Sequence, residues 1–256
     1  MKLFLLAAGR GKRLMPMTAD TPKFLISVAE DVTLLEKVLS EVRGSGVFTQ
    51  AVIVAGYKVG KIEAAVEDAA GGLPVRVVYN PFYDISSPLV SLYFAHFSGM
   101  AQEDFMVCNG DTFYRAALFA RMASMADGIT LAVEPDPRRD PDGVRVEMDR
   151  EAIIQRVGKN LPLESARGVS LGIVSVKGDE NRQAFVHALQ HMMRVPANVE
   201  TGTIWHSIFN TLCEMGVVVH TVQASAHEWF EIDHEQDLIR FKALIAAADG
   251  TIAAEP

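Results

Sequence analysis

The sequence predicts an α/β fold: one three-layer α/β/α domain around a central, mostly parallel mixed sheet. Two observations carry that expectation. Continuous apolar runs at Leu3 to Leu6, Ala51 to Ala55 and Val75 to Tyr79 alternate with helix-period segments, giving the strand, helix, strand, helix, strand order of a doubly wound unit. The first run then passes through Ala7 and Ala8 into Gly9-Arg10-Gly11, as a buried parallel strand does when it delivers a tight loop to one edge of its sheet. At 256 residues the chain can bury a substantial core as one domain. That domain is assigned to residues 1–247, and the alanine-rich stretch 248–256, ending Glu-Pro, is expected to fray.

The elements follow in order. Thr33-Leu34-Leu35-Glu36 is a capping-box signature opening a helix whose Leu35, Val38, Leu39 and Val42 share a face, and Gly44-Ser45-Gly46 stops it. The strand Ala51 to Ala55 leads through Gly56-Tyr57-Lys58 into a helix through Ile62 and Val66 that ends at Gly71-Gly72. Asn80-Pro81 ends the third strand, and Ser87-Pro88 caps a helix carrying Leu89, Leu92, Tyr93 and His96. Phe105 to Cys108 reads as a strand closing on Asn109-Gly110-Asp111, with a helix from Tyr114 to Ala126. Strands are expected at Ile129 to Val133, Val144 to Met148, Ile153 to Val157 and Val169 to Val176, with a Pro- and Asp-rich loop from Pro135 to Gly143. Helices are expected at Asp179 to Met193 and Thr203 to Met215, joined by a loop from Val195 to Gly202. Val217 to Val222 reads as a last strand, and Asp233 starts the last helix.

A formal net charge of −8 argues against a nucleic-acid surface, which needs a basic stripe, and points to a small-molecule partner. In an acidic protein an anionic ligand needs locally concentrated positive charge, and Arg10, Lys12, Arg13 and Lys23 provide it beside the glycines. Cys108 and Cys213 have neither CxxC nor histidine-rich spacing, so no disulfide framework or zinc site is indicated. The start MKLFLLAAG imitates a secretory signal, but its short apolar run meets Arg10, Lys12 and Arg13 at once, which favours a strand. No run approaches the roughly eighteen apolar residues of a membrane span. A cytoplasmic location is expected, and the oligomeric state stays open.

Backbone N–H groups exposed by glycines, with Arg13 and Lys23 alongside, suit a polyphosphate. Two phosphate motifs are excluded. The third glycine of the dinucleotide fingerprint is replaced by Leu14, and Gly11-Lys12-Arg13 lacks the spacing and hydroxyl of a P-loop. The run Leu6-Ala7-Ala8-Gly9-Arg10-Gly11-Lys12-Arg13, with Pro22-Lys23 following, instead resembles the signature of nucleotidyltransferases that join a nucleoside triphosphate to a sugar phosphate or phosphoalcohol. The resemblance implies a Rossmann-like, GT-A-like fold and a nucleotide site drawn from Leu6, Ala8, Gly9, Gly11, Lys23, Asn80 and Ser91. It also implies that Arg13 contacts the departing pyrophosphate and Lys23 the reacting phosphates. Phe24 follows the lysine where the family commonly has proline.

Two aspartates stand out by position. Asp111 follows a strand and a glycine at the sheet's carboxyl edge, although Asn-Gly-Asp is also good turn chemistry. Asp233 precedes a helix, where an N-cap is the plain alternative, with Gln236 at the capping-box position. The resemblance implies that both hold Mg2+, matching a Gly-Asp motif at a strand end and the late Glu231-Ile232-Asp233. Bringing a phosphate nucleophile onto a triphosphate sets anion against anion, so a carboxylate-held metal with Arg and Lys is the chemistry required.

Asn80, Tyr83, Ser91, Leu92 and Ala95 are similar to the branch that uses CTP with phosphocholine and related phosphonates, and Gly158-Lys159 with Gly168-Val169-Ser170-Leu171-Gly172-Ile173 adds to the likeness. The partners implied are CTP and a small phosphate or phosphonate acceptor, with Lys159, Tyr83 and Trp229 as acceptor contacts. A sugar-1-phosphate nucleotidylyltransferase and a non-catalytic nucleotide-binding regulator are the alternatives. One departure bears on the acceptor: Trp205 is followed by His206 where this branch often has an acid, and the nearest acid is Glu200.

Overall fold

The computed structural model describes residues 1–138 and 142–248. In chain order the elements are β1 (Lys2–Ala7), β2 (Ser27–Ala29), β3 (Val32–Thr33), α1 (Leu34–Gly44), β4 (Gln50–Ala55), α2 (Val59–Ala70), β5 (Val75–Tyr79), α3 (Pro88–His96), β6 (Phe105–Asn109), β7 (Thr112–Tyr114), α4 (Ala116–Ser124) and β8 (Gly128–Glu134). There follow β9 (Arg145–Met148), β10 (Ile154–Gly158), β11 (Gly168–Lys177), α5 (Asp179–Met192), α6 (Pro196–Val199), α7 (Ile208–Glu214), β12 (Val219–Gln223), β13 (Trp229–Glu231) and α8 (Glu235–Ala248). Single 3-10 turns sit at Lys12–Leu14, Lys23–Leu25 and Trp205–Ser207.

Nine strands form the main sheet, in the order β10-β9-β11-β6-β1-β4-β5, with β8 on β11 and β12 on β8. β6, β1, β4 and β5 run parallel, while β11 is antiparallel to β6, β8 and β9. The central strands are apolar throughout because both faces are covered, and their side chains alternate between two cores. Leu3 and Leu5 of β1, Ile53 of β4 and Cys108 of β6 join the core under α1, α2, α4 and α8. Phe4, Val52, Val54 and Val107 join the core under α3, α5 and α7. This is the three-layer α/β/α domain with a mixed, mostly parallel sheet that the sequence predicts.

Several local expectations change. Tyr114 ends the strand β7 instead of starting a helix, because it pairs with Trp229 and buries its ring, its hydroxyl donating to the Leu171 carbonyl at 2.6 Å. α4 therefore begins at Ala116. The expected helix from Thr203 is a 3-10 turn plus the shorter α7, and the expected loop before it contains α6, started by Pro196. Ser87 precedes Pro88 of α3 as expected, but its hydroxyl donates to the Asn198 carbonyl instead of capping the helix. Thr33 and Glu36 do form the reciprocal capping box. Of the tail expected to fray, only Ala248, the end of α8, falls within the described residues; residues 139–141 of the Pro- and Asp-rich loop also lie outside them. No described helix is long and apolar enough to cross a membrane.

Candidate active site

The site is built where β1 and β6 end side by side. Their parallel pairing sets Leu6 opposite Asn109, so the glycine loop and Asp111 leave the same edge. Gly110 makes the approach possible: its N–H donates to the Leu6 carbonyl at 3.0 Å, and a Cβ there would lie 2.5 Å from that oxygen. In the loop, Gly11 adopts φ 62°, a left-handed conformation that glycine takes without strain, and Thr18 Oγ1 donates to its carbonyl at 2.8 Å. Lys23 begins its own 3-10 turn behind Pro22, and the following Phe24, buried at 3% exposure, anchors that turn in the core under α1.

A small ribbon completes the constellation. β13 pairs antiparallel with β7, matching Glu231 to Thr112, and the Ile232 N–H donates to the Asp111 carbonyl at 2.9 Å. Alternation along the chain turns Ile232 into the core while Glu231 and Asp233 point the other way. Oxygens of Asp111, Glu231 and Asp233 then lie within 4.8 Å of one another. An all-carboxylate donor set of this kind fits a hard divalent cation. Lys23 Nζ stands 3.2 Å from Asp233 Oδ1 and 4.0 Å from Asp111 Oδ2, and Arg13 donates to Asp233 Oδ2 at 2.7 Å. Burial opposes ionisation of Asp233, but Lys23 and Arg13 outweigh it and hold its carboxyl below the usual range. Asp233 is thus no helix cap; Asp237 takes that role, accepting from the backbone N–H groups of Asp233 and His234.

Two cavities meet at this cluster. The smaller, about 440 Å³, is walled by Gly9, Arg10, Gly11, Lys12, Lys23 and Tyr83. The larger, about 630 Å³, is walled by Leu6, Asn109, Lys159, Trp205, His206 and Trp229 among others. Arg13, Asp111 and Asp233 line both.

The other candidates from the sequence are distributed unevenly. Tyr83 lies with the glycine loop, near the Arg10 guanidinium and Tyr57, on the opposite side of the cluster from Lys159 and Trp229. Asn80 and Ser91 bond to each other at 3.0 Å in the interior and line neither cavity; Asn80 also accepts from the Phe82 N–H. Ala8 is buried, its carbonyl accepting from the Tyr57 N–H. Arg10 and Lys12 both approach Asp84, at 3.0 and 3.7 Å. Glu231 was not singled out by sequence reasoning, although its spacing of two from Asp233 was the available signal. His206 was noted only as a missing acid, yet it lies in the wall of the larger cavity.

A doubly wound sheet that sets a cationic glycine loop against a carboxylate cluster is the architecture of the nucleotidyltransferases. Within them, the chain belongs to the MobA-like NTP transferase domain family, whose model matches residues 3–193. It is similar to the bifunctional IPC transferase and DIPP synthase of Rubrobacter xylanophilus, 28% identical over 238 residues, covering 91% of this chain and 49% of that protein. It is also similar to the N-acetylmuramate alpha-1-phosphate uridylyltransferase of Neisseria meningitidis serogroup B, 33% identical over 155 residues, covering 56% of this chain and 63% of that one. The chain thus spans about half the length of the first relative and 63% of the second. Among solved structures, the inositol-1-phosphate CTP transferase from T. maritima superposes with a TM-score of 0.74 at 19% identity, covering 96% of each chain, a likeness of fold.

Proposed function

We propose that this domain, residues 1–247, is a Mg2+-dependent cytidylyltransferase that moves CMP from CTP to a small phosphorylated or phosphonylated alcohol or amine. The observation that carries the reading is the sharing of Arg13, Asp111 and Asp233 between the two cavities. One cavity has the glycines and cations that suit a triphosphate, and the other has Lys159 and aromatic walls that suit an acceptor. The reacting atoms would meet at the shared residues.

In this reading an acceptor phosphate oxygen attacks the α-phosphorus of CTP, the bond from that phosphorus to the bridging oxygen breaks, and pyrophosphate leaves. The attacking phosphate is already an anion, so no side-chain base is needed. Asp111 and Asp233, joined by Glu231, would hold the cation, which when bound neutralises charge on the phosphate oxygens. Leu6, Ala8, Gly9 and Gly11 shape the nucleotide cavity, and Asn80 with Ser91 supports it from behind. Arg13 meets the leaving pyrophosphate and Lys23 the reacting phosphates, where fixed positive charge stabilises what develops in the transition state. Lys159 and Trp229 meet the acceptor, and Tyr83, by its position, the nucleotide side.

CTP is supported by the name of the T. maritima neighbour and by the motif likeness around Asn80 and Ser91. A second reading, transfer of UMP to a sugar 1-phosphate, is favoured by the Neisseria relative. Pyrophosphate release measured with each nucleoside triphosphate against a panel of acceptors tests both. CTP with a phosphoalcohol or aminoalkylphosphonate supports the first, UTP with a hexose 1-phosphate the second. Nucleotide binding without any turnover would make the domain a regulator.

A further inference from the structure

His206 is the odd residue in the wall of the larger cavity. It is 4% exposed, yet neither ring nitrogen has a hydrogen-bond partner among the described residues. Buried polar groups are paired in the great majority of cases, and an unpaired one destabilises the fold that contains it. An imidazole kept this way at a cavity wall has its bonds reserved for something that enters. Its position is not accidental: the ring stacks on Trp205, with centroids 4.1 Å apart, and Trp205 Nε1 donates to Asn109 Oδ1 at 2.8 Å. Asn109 ends β6, directly before Gly110-Asp111, so the imidazole is tied to the strand that delivers the carboxylate.

Burial, aided by the charge of Lys159, keeps the imidazole neutral, with its pKa pushed down to about 3. A neutral imidazole offers one donor and one acceptor. Trp229 Nε1 is a second buried donor without a partner among the described residues, and it belongs to the same cavity wall. A hydroxyl both gives and takes a hydrogen bond, so a polyol matches this set. A trimethylammonium group can bond none of it. The acids Glu134 and Asp142 also line the cavity, but each already has an interaction of its own, and Lys159 opposes a further cation beside His206.

We propose that His206, with Trp229, determines acceptor specificity by hydrogen bonding to a hydroxyl, and that the acceptor is a polyhydroxylated phosphate monoester. The inference rests on the reading of the larger cavity as the acceptor pocket of a nucleotidyltransferase. It narrows that pocket's ligand from phosphorylated alcohols and amines in general to polyol phosphates.

The experiment has a binding arm and a turnover arm. In the first, the protein with 15N-labelled histidine in MgCl2 is titrated with myo-inositol 1-phosphate, sn-glycerol 3-phosphate, 2-aminoethylphosphonate or phosphocholine. A polyol phosphate should shift the His206 ring-nitrogen resonances, and phosphocholine should not. In the second, pyrophosphate release from CTP is followed for His206→Phe, which keeps a flat ring against Trp205 but no nitrogen, and for His206→Gln, which restores a donor and an acceptor. KM for the polyol phosphate should rise about tenfold or more in the phenylalanine variant, with a smaller change in kcat, and recover partly in the glutamine variant. The thermal midpoint of ligand-free His206→Phe should equal or exceed that of the parent, because an unpaired buried group has gone.

The inference is overturned if no polyol phosphate moves the ring resonances, or if phosphocholine or 2-aminoethylphosphonate turns over while His206→Phe leaves its KM unchanged; nucleotidyl transfer itself then stands. A His206→Phe protein that melts earlier with unaltered acceptor KM also overturns it, since the ring would then be structural. A polyol phosphate that moves the resonances while no triphosphate yields pyrophosphate supports the contact and overturns the transferase reading instead.

Discussion

Arg13 and Asp233 are separated by 220 residues of chain and meet at 2.7 Å, with Lys23 on the other oxygen of the same carboxylate at 3.2 Å. The loop that begins the site and the ribbon that ends it are therefore held together by charge before any ligand arrives. A triphosphate entering the smaller cavity has to compete with Asp233 for both cations.

Replacing any of the three clustered carboxylates should stop the reaction without unfolding the protein. Asp111→Asn, Glu231→Gln or Asp233→Asn is expected to lose on the order of 10²-fold or more in kcat/KM, as is usual when a group supporting charge neutralisation goes. Excess chelator should do the same to the parent. Steady-state pyrophosphate assays with circular dichroism as the fold control check this, and near-normal turnover in either aspartate variant contradicts the assignment.

Lys23 and Arg10 should behave differently although both are loop cations. Lys23 is enclosed between Asp111 and Asp233, whereas Arg10 reaches outward to Asp84 and lies 5.5 Å from the centre of the Tyr57 ring. Lys23→Ala should lower kcat more than it raises KM, the mark of an interaction made in the transition state. Arg10→Ala should be milder and act mainly on KM. Equal effects on both parameters at both positions would remove the distinction.

Stability should fall in acid through His206. Its folded pKa of about 3 lies below the ordinary 6.5, so between those values the unfolded chain binds more protons than the folded one. Stability from this group is complete above pH 6.5 and declines as pH drops toward 3, by about 1.4 kcal/mol per unit within the window. Denaturant midpoints measured at pH 7 and pH 5 should separate more for the parent than for His206→Phe. Parallel pH dependence in the two proteins would show that the imidazole titrates normally.

Gly110 should tolerate no side chain. A methyl group there would press on the Leu6 carbonyl at 2.5 Å and on Ala7, forcing β1 and β6 apart where the site is assembled. Gly110→Ala is expected to cost about 1–3 kcal/mol of stability, the usual range for overpacking, and to reduce activity further by displacing Asp111. Urea unfolding together with pyrophosphate release measures the two effects.

The central strands were legible because β1, β4, β5 and β6 are buried on both faces and their continuous apolar runs have no other explanation. The capping box before α1 was legible for a local reason, since both partners lie within one turn. What escaped was short or nonlocal. β7 and β13 have three residues each and exist only because they pair with one another, so Tyr114 read as a helix start and Trp229 to Glu231 had no partner to declare them. Glu231 was hidden by the same gap. Lys23, Asp111 and Asp233 were recognised from motif spacing, but that Arg13, Asp111 and Asp233 would stand between two cavities required the ribbon. His206 shows the limit most clearly: its identity is in the sequence, but its unpaired nitrogens are a property of the packed interior.

The β7–β13 ribbon also sets a schedule. On a ribosome the glycine loop emerges early and Asp233 follows 220 residues after Arg13, a delay of about 10–40 s at ordinary elongation rates. Through that interval the nascent chain holds the cationic half of its site without the carboxylates that balance it. A partly made protein can therefore attract a nucleotide but has only Asp111 of the three acids. Competence arrives in one step, when the last strand docks.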